Sequence, residues 1–153
     1  LFLLYLTACT PHCYSQTKTI CYLKKNIEAI IDPCEKLKAI FSLCEQGYTL
    51  HSDTLMAYAE RAKTISIQLN DLHGEVTAMY YQSSAYTAKG NIDSSLELAN
   101  TCLKILSTKI TDPELQAKVY NQMGRCYMRK NKYKEAMDMA YHVINNAEKI
   151  GDT

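Results

Sequence analysis

The sequence predicts an all-α protein built from about seven helices, stacked as antiparallel pairs. Three observations carry this. Apolar residues recur at i, i+3, i+4 and i+7 in segment after segment, the spacing of one buried helical face. Short polar or glycine-bearing breaks separate those segments. Corresponding residues return after 41 positions: Tyr86 and Tyr127, then Gly90-Asn91 and Asn131-Lys132, then Ile92, Ser95, Ala99 and Cys102 against Tyr133, Ala136, Ala140 and Val143. No run alternates with the period of two that a half-buried strand needs.

Residues 1–8 (LFLLYLTA) form an uncharged apolar run, too short for a bilayer span of about 20 residues. It fits the hydrophobic region of a secretory signal, and residues 1–15 are assigned to that signal. Two exits are open. Cys13-Tyr14-Ser15 before Gln16 offers small residues where a signal peptidase reads, and Leu6-Thr7-Ala8-Cys9 resembles a lipobox that would place a lipid on Cys9. Thr10-Pro11 is expected to interrupt any helix there. The chain starts at Leu1 and stops just past a helix, so it reads as a piece that continues beyond residue 153.

The helical part, 16–153, follows in order. Residues 17–31 carry Ile20, Leu23, Ile27 and Ile30 on one stripe. Asp32-Pro33-Cys34-Glu35 is a helix start, with Asp32 as cap and Pro33 in the first turn. Ala39, Ile40, Leu43 and Cys44 supply the inner face of that helix. Residues 46–52 are a loop, and Asp53 is expected to cap the next helix, with Leu55, Met56, Ala59 and Ala62 inward. Asn70-Asp71 ends it and caps a helix over 72–89, Gly90-Asn91 breaks the chain, and a helix follows over 92–106. Thr111-Asp112-Pro113-Glu114 opens the last hairpin, whose turn is Lys130-Asn131-Lys132. Its second helix sets Tyr133, Ala136, Met137, Ala140, Val143, Ile144, Ala147 and Ile150 on one stripe, and Gly151 stands where a C-cap glycine belongs. The repeats are drawn at roughly 33–70, 72–108 and 112–150.

Tyr120-x2-Met123-Gly124-x2-Tyr127 followed by Ala136-x3-Ala140 resembles the tetratricopeptide repeat. The departures are Tyr for Trp, Met for Leu, Ala140 for an aromatic, and no closing Pro. Gly124 is expected to allow close helix approach, Tyr127 to fill the gap between helices, and Ala136 and Ala140 to keep the second helix thin. The period of 41 exceeds the family's usual 34 by seven, about two helical turns, which lengthens helices without rotating their apolar faces. The resemblance implies a right-handed superhelix whose first helices line a concave, ligand-binding side. The residues it places there are Thr77, Tyr80, Ser84 and Thr87, then Lys118, Asn121, Arg125 and Met128. Tyr81 stands where the family's chaperone-tail clamp has Asn, so that ligand is not implied.

The signal, with Asp53-x-Leu55-x2-Tyr58-Ala59-x2-Ala62 and the ending Ala147-Glu148-Lys149-Ile150-Gly151-Asp152, is similar to exported tetratricopeptide sensor regions of Bacteroidetes-type histidine kinases and regulators. That implies a periplasmic or cell-envelope protein that binds a protein or peptide. Membrane attachment would come only through a lipid on Cys9 or a downstream span. The alternative is a free-standing lipoprotein that assembles envelope complexes, and a third reading is the helical body of an enzyme.

Composition argues against other classes. A net charge of +1 gives no electrostatic footprint for nucleic acid. No H-E-x-x-H, G-x-S-x-G or phosphate-cradling glycine loop occurs, and no catalytic, cofactor or metal site is expected. His51-Ser52-Asp53 reads as loop and cap, and Cys9-Thr10-Pro11-His12-Cys13 has the wrong order for a haem attachment. Of the seven Cys, Cys102 and Cys126 fall on apolar helix faces and read as core. His73 and His142 sit singly on their helices.

Overall fold

The computed structural model describes residues 10–47 and 49–151, and the side chains of 19–47 and 49–148. Among the described residues there are seven helices and no strand: α1 (Thr10–Ala29), α2 (Pro33–Glu45), α3 (Ser52–Gln68), α4 (Leu72–Ala88), α5 (Ile92–Thr108), α6 (Pro113–Arg129) and α7 (Tyr133–Gly151). Helix α1 is described from Thr10 onward and carries Pro11 within it, so Thr10-Pro11 does not interrupt the helix. The helix runs on without a break past residue 15. The expected signal run 1–8 and Cys9 lie outside the described residues.

Capping side chains punctuate the array. Asp32, Asp71, Asn91 and Asp112 each accept a hydrogen bond from the backbone N–H three residues on. Each cap satisfies one orphan amide and contributes about 1 kcal/mol. The α3 start differs from expectation: His51 stands at the cap, 3.4 Å from the Asp53 N–H, while the Asp53 carboxylate reaches Lys89 at 2.6 Å. Left-handed residues end the helices: Asn70 (φ 54), Gly90 (φ 83) and Asn131 (φ 58). The connections 69–71, 89–91 and 130–132 are so short that the helices they join run antiparallel.

Every helix packs on the next in sequence; beyond that, α2 touches α4 and α4 touches α6. Among the described residues α3, α5 and α7 make no such contact with one another. The array therefore has an inner row, α2–α4–α6, and a splayed outer row, as a curved solenoid requires. One ion pair recurs with the repeat. Asp53, in the first turn of α3, meets Lys89 at the end of α4, and Asp93, in the first turn of α5, meets Lys130 just past α6.

Two apolar clusters fill the stack. One gathers Ile27, Leu37, Ile40, Leu43, Ala59, Ala62, Ala78 and Tyr81 from α1 to α4. The second gathers Val76, Met79, Ala99, Cys102, Leu106, Leu115, Val119 and Met123 from α4 to α6. Each buried Leu, Ile or Val contributes about 1.5–3 kcal/mol. Helix α4 supplies both clusters from opposite faces, because it lies between the first and third hairpins. Alongside the second cluster, among the same three helices, runs a buried polar seam. The Gln122 amide donates to Thr87 Oγ1 at 2.6 Å, and the Ser83, Thr87 and Ser95 hydroxyls bond one another and lie near the Cys126 thiol. Cys126 is buried as expected, but it faces this polar seam and not an apolar one.

The last hairpin departs from expectation in two ways. On α7, among the described side chains of the expected stripe, only Ala136 is buried and Val143 is half-buried, whereas Tyr133, Met137, Ala140, Ile144 and Ala147 are exposed. Periodicity marks an apolar face without supplying a cover for it. Gly124 does not serve close approach either: a Cβ there would meet Met139 Cβ at 3.6 Å and Ala136 O at 3.7 Å, ordinary contacts. Tyr127 does pack, half-buried, against the second cluster.

Candidate groove on the inner row

The inner faces of α2, α4 and α6 bound two adjoining cavities of about 660 and 420 Å³. Glu45, Tyr80, Tyr81 and Lys118 line both, so the two form one trough. Its size lies in the range of ordinary ligand sites. The floor is aromatic. Phe41 of α2 stacks on Tyr81 of α4 with ring centroids 6.1 Å apart, and Tyr80 lies tilted against Tyr81 at 5.0 Å. Tyr81 is buried, while Phe41 and Tyr80 are half-buried and present surface to the trough. Burial raises the Tyr81 phenol, so it stays neutral and acts by packing and hydrogen bonding alone.

Charge sits on the walls. Lys118 pairs with Glu114 at 2.7 Å one turn back on α6, and that hydrogen bond holds its ammonium above the usual lysine value. Arg125, two turns further along the same face, donates to the Gln122 side-chain carbonyl at 3.3 Å and so ties the trough wall to the buried seam. At the other end His73 Nε2 lies 2.6 Å from Asp112 Oδ2 and links the start of α4 to the cap of α6. Partial burial pushes the Asp112 carboxyl up. The Leu115 amide, His73 and the Glu114 amide outweigh it, and the net shift is downward. His73, exposed as expected, is thus also a joint between repeats. His142 packs as well, stacked on Tyr120 with centroids 4.5 Å apart.

The eight residues expected on the concave side divide three ways. Thr77, Tyr80, Ser84, Lys118 and Arg125 line the trough. Asn121 and Met128 instead line a third cavity of about 590 Å³ between α6 and α7, which Arg125 also borders. Thr87 is a correction: it is 0% exposed, with its hydroxyl inside the seam, so nothing outside the fold can touch it. A face drawn at i, i+3, i+7, i+10 drifts as it follows a helix. By Thr87 that drift has carried the face under α5 and α6.

Sequence reasoning missed the α2 wall: Leu37, Lys38, Phe41 and Glu45. They stand at i, i+1, i+4 and i+8, one helical face. That signal was available and was masked because Cys44 occupies the tyrosine position of the first repeat. Among the described residues no three His, Cys, Asp or Glu side chains are placed to share a metal ion, and no helix is long and apolar enough to cross a membrane. The five described cysteines are free thiols. Comparison of the chain with protein-family models, curated proteins and solved structures gives no match.

Proposed function

We propose that this chain is a binding module that takes a segment of a protein or peptide into the trough along α2, α4 and α6. The observation that carries the proposal is the combination of an aromatic floor, Phe41, Tyr80 and Tyr81, with the cations Lys118 and Arg125 on one wall. Aromatic side chains give large contact area at low conformational cost, and Arg and Lys fix orientation. The trough spans three successive inner helices, α2, α4 and α6, which suits an extended segment. Panning a random peptide library on the purified chain, followed by titration calorimetry of the enriched peptide, tests this. Tyr80→Ala and Lys118→Glu should each weaken that peptide about tenfold or more, with the helical circular dichroism unchanged. Failure to enrich any peptide, or an affinity indifferent to both changes, ends the proposal.

Placement outside the cytoplasm belongs to the same proposal: an exported repeat domain serving as the ligand-binding part of a longer signalling protein. Its support is the apolar run 1–8 ahead of the helical array. A fusion of residues 1–60, given a start codon, to a reporter active only after export tests it, and activity confined to the cytoplasm refutes it. The lipoprotein alternative rests on Leu6-Thr7-Ala8-Cys9. Membrane attachment that persists in Cys9→Ser removes it.

A further inference from the structure

The third cavity, between α6 and α7, is a different surface from the trough. Five large apolar side chains stand exposed on this hairpin: Met128 (53% exposed), Tyr133 (58%) and Met137 (71%) line the cavity, and Tyr141 (71%) and Ile144 (55%) follow within two turns of Met137 along α7. Together they present roughly 500 Å² of apolar area, more than scattered surface residues normally gather in one place.

The molecule contains the same face in its covered form. One repeat back, 41 positions earlier, Leu96 and Leu103 occupy the places of Met137 and Ile144, and there they pack into the second core cluster beside α6. The centre of that covered face is polar: the Ser83 backbone carbonyl and the Thr87 and Ser95 hydroxyls receive the Gln122 amide. At the open face those three positions are Gly124, Met128 and Ala136. A helix like α6, with Gln122 at its midpoint, would bury an amide there without a partner, at a cost of about 1–3 kcal/mol. The recurring ion pair is also absent. Asp53 and Asp93 each reach a lysine of the following hairpin, but the matching position on α7 is Lys134. The open face is therefore built for a wholly apolar helix whose flanking charge answers a lysine.

Helix α7 itself meets both conditions. We infer that two copies of this chain pair through α7, crossing antiparallel about a two-fold axis near Tyr141. Met137 then meets Ile144 of the second copy. Lys134 and Glu148 each lie seven residues from Tyr141, two helical turns, so both share its side of the helix. The crossing sets Lys134 of each copy beside Glu148 of the other. A net charge of +1 leaves little general repulsion between copies. The area is modest against the ~800 Å² per partner of a standard interface, so the dimer is reversible.

Sedimentation velocity on the full chain over a concentration series tests the pairing. The wild type should pass from monomer to dimer as concentration rises. Met137→Glu should remain monomeric at every concentration with an unchanged helical spectrum, since Met137 is exposed in the single copy. Lys134→Glu should weaken association about tenfold, and adding Glu148→Lys to it should restore it. The pairing is overturned if the wild type is monomeric throughout, which leaves the face to another occupant. It is equally overturned if association survives Met137→Glu, as it would through the apolar first residues, or if the double reversal fails to restore it.

Discussion

The side-chain amide of Gln122 lies 2.6 Å from the hydroxyl of Thr87, with both residues closed off from water. This contact joins the second and third repeats across the polar seam. Removing the amide leaves hydroxyls that only partly satisfy one another. Gln122→Ala should cost about 2 kcal/mol, a fall of roughly 4–8 °C in Tm. Replacing both partners, in Gln122→Leu with Thr87→Val, should recover part of that loss, because neither side is then orphaned. Thermal unfolding of the two singles and the double, read as a mutant cycle, checks this.

The turns inside the second and third hairpins differ at one equivalent position, Gly90 and Asn131, both left-handed. Gly90→Val should destabilise by about 1–2 kcal/mol, because a β-branched residue resists φ of +83° although nothing crowds the site. Asn131→Gly should be neutral or stabilise by a few tenths of a kcal/mol. Urea denaturation midpoints at constant m-value report both.

Asp112 ties acid stability to the joint between repeats. Its folded pKa is lowered, so its contribution is full above the ordinary carboxylate value of about 4 and is lost as pH falls through the lowered folded value. Asp112→Asn keeps a good cap but ends the pull on His73, so its stability should fall less steeply than the wild type's across that acid range. Asp112→Ala also loses the cap, at about 1 kcal/mol at neutral pH. Chemical denaturation of the three proteins from pH 7 downward shows the difference.

Cysteine labelling should be sharply divided. Burial pushes the Cys44 and Cys102 thiols up to about 12, and Cys126 is sealed in the seam, whereas Cys21 and Cys34 are exposed. With iodoacetamide at pH 8, site-resolved mass spectrometry should find Cys21 and Cys34 modified in the folded protein. Cys44, Cys102 and Cys126 should be modified only after denaturant is added.

The helices and their register were legible because small core residues return on schedule. Ser95 and Ala136, 41 positions apart and both buried in successive outer helices, keep the places that period assigns them, and Asp32, Asp71 and Asp112 announce helix starts. What periodicity conceals is the identity of whatever faces a stripe. Thr87 looked like groove surface and is interior, whereas Met137 looked like interior and is surface. The α2 wall of the trough stands on a legible helical face that Cys44, in the tyrosine position of its repeat, masks; what no local pattern encodes is that Phe41 meets Tyr81, 40 positions away.

Successive repeats meet mainly where the outer helix of one lies on the inner helix of the next, α3 on α4 and α5 on α6, and only lightly along the inner edge α2–α4–α6, whereas α3, α5 and α7 make no contact with one another among the described residues. A guest wedged between Phe41 and Lys118 would prise that edge open and straighten the arc. Occupancy would thereby be converted into a change of end-to-end distance, carried to α7 by leverage and not by any dedicated relay.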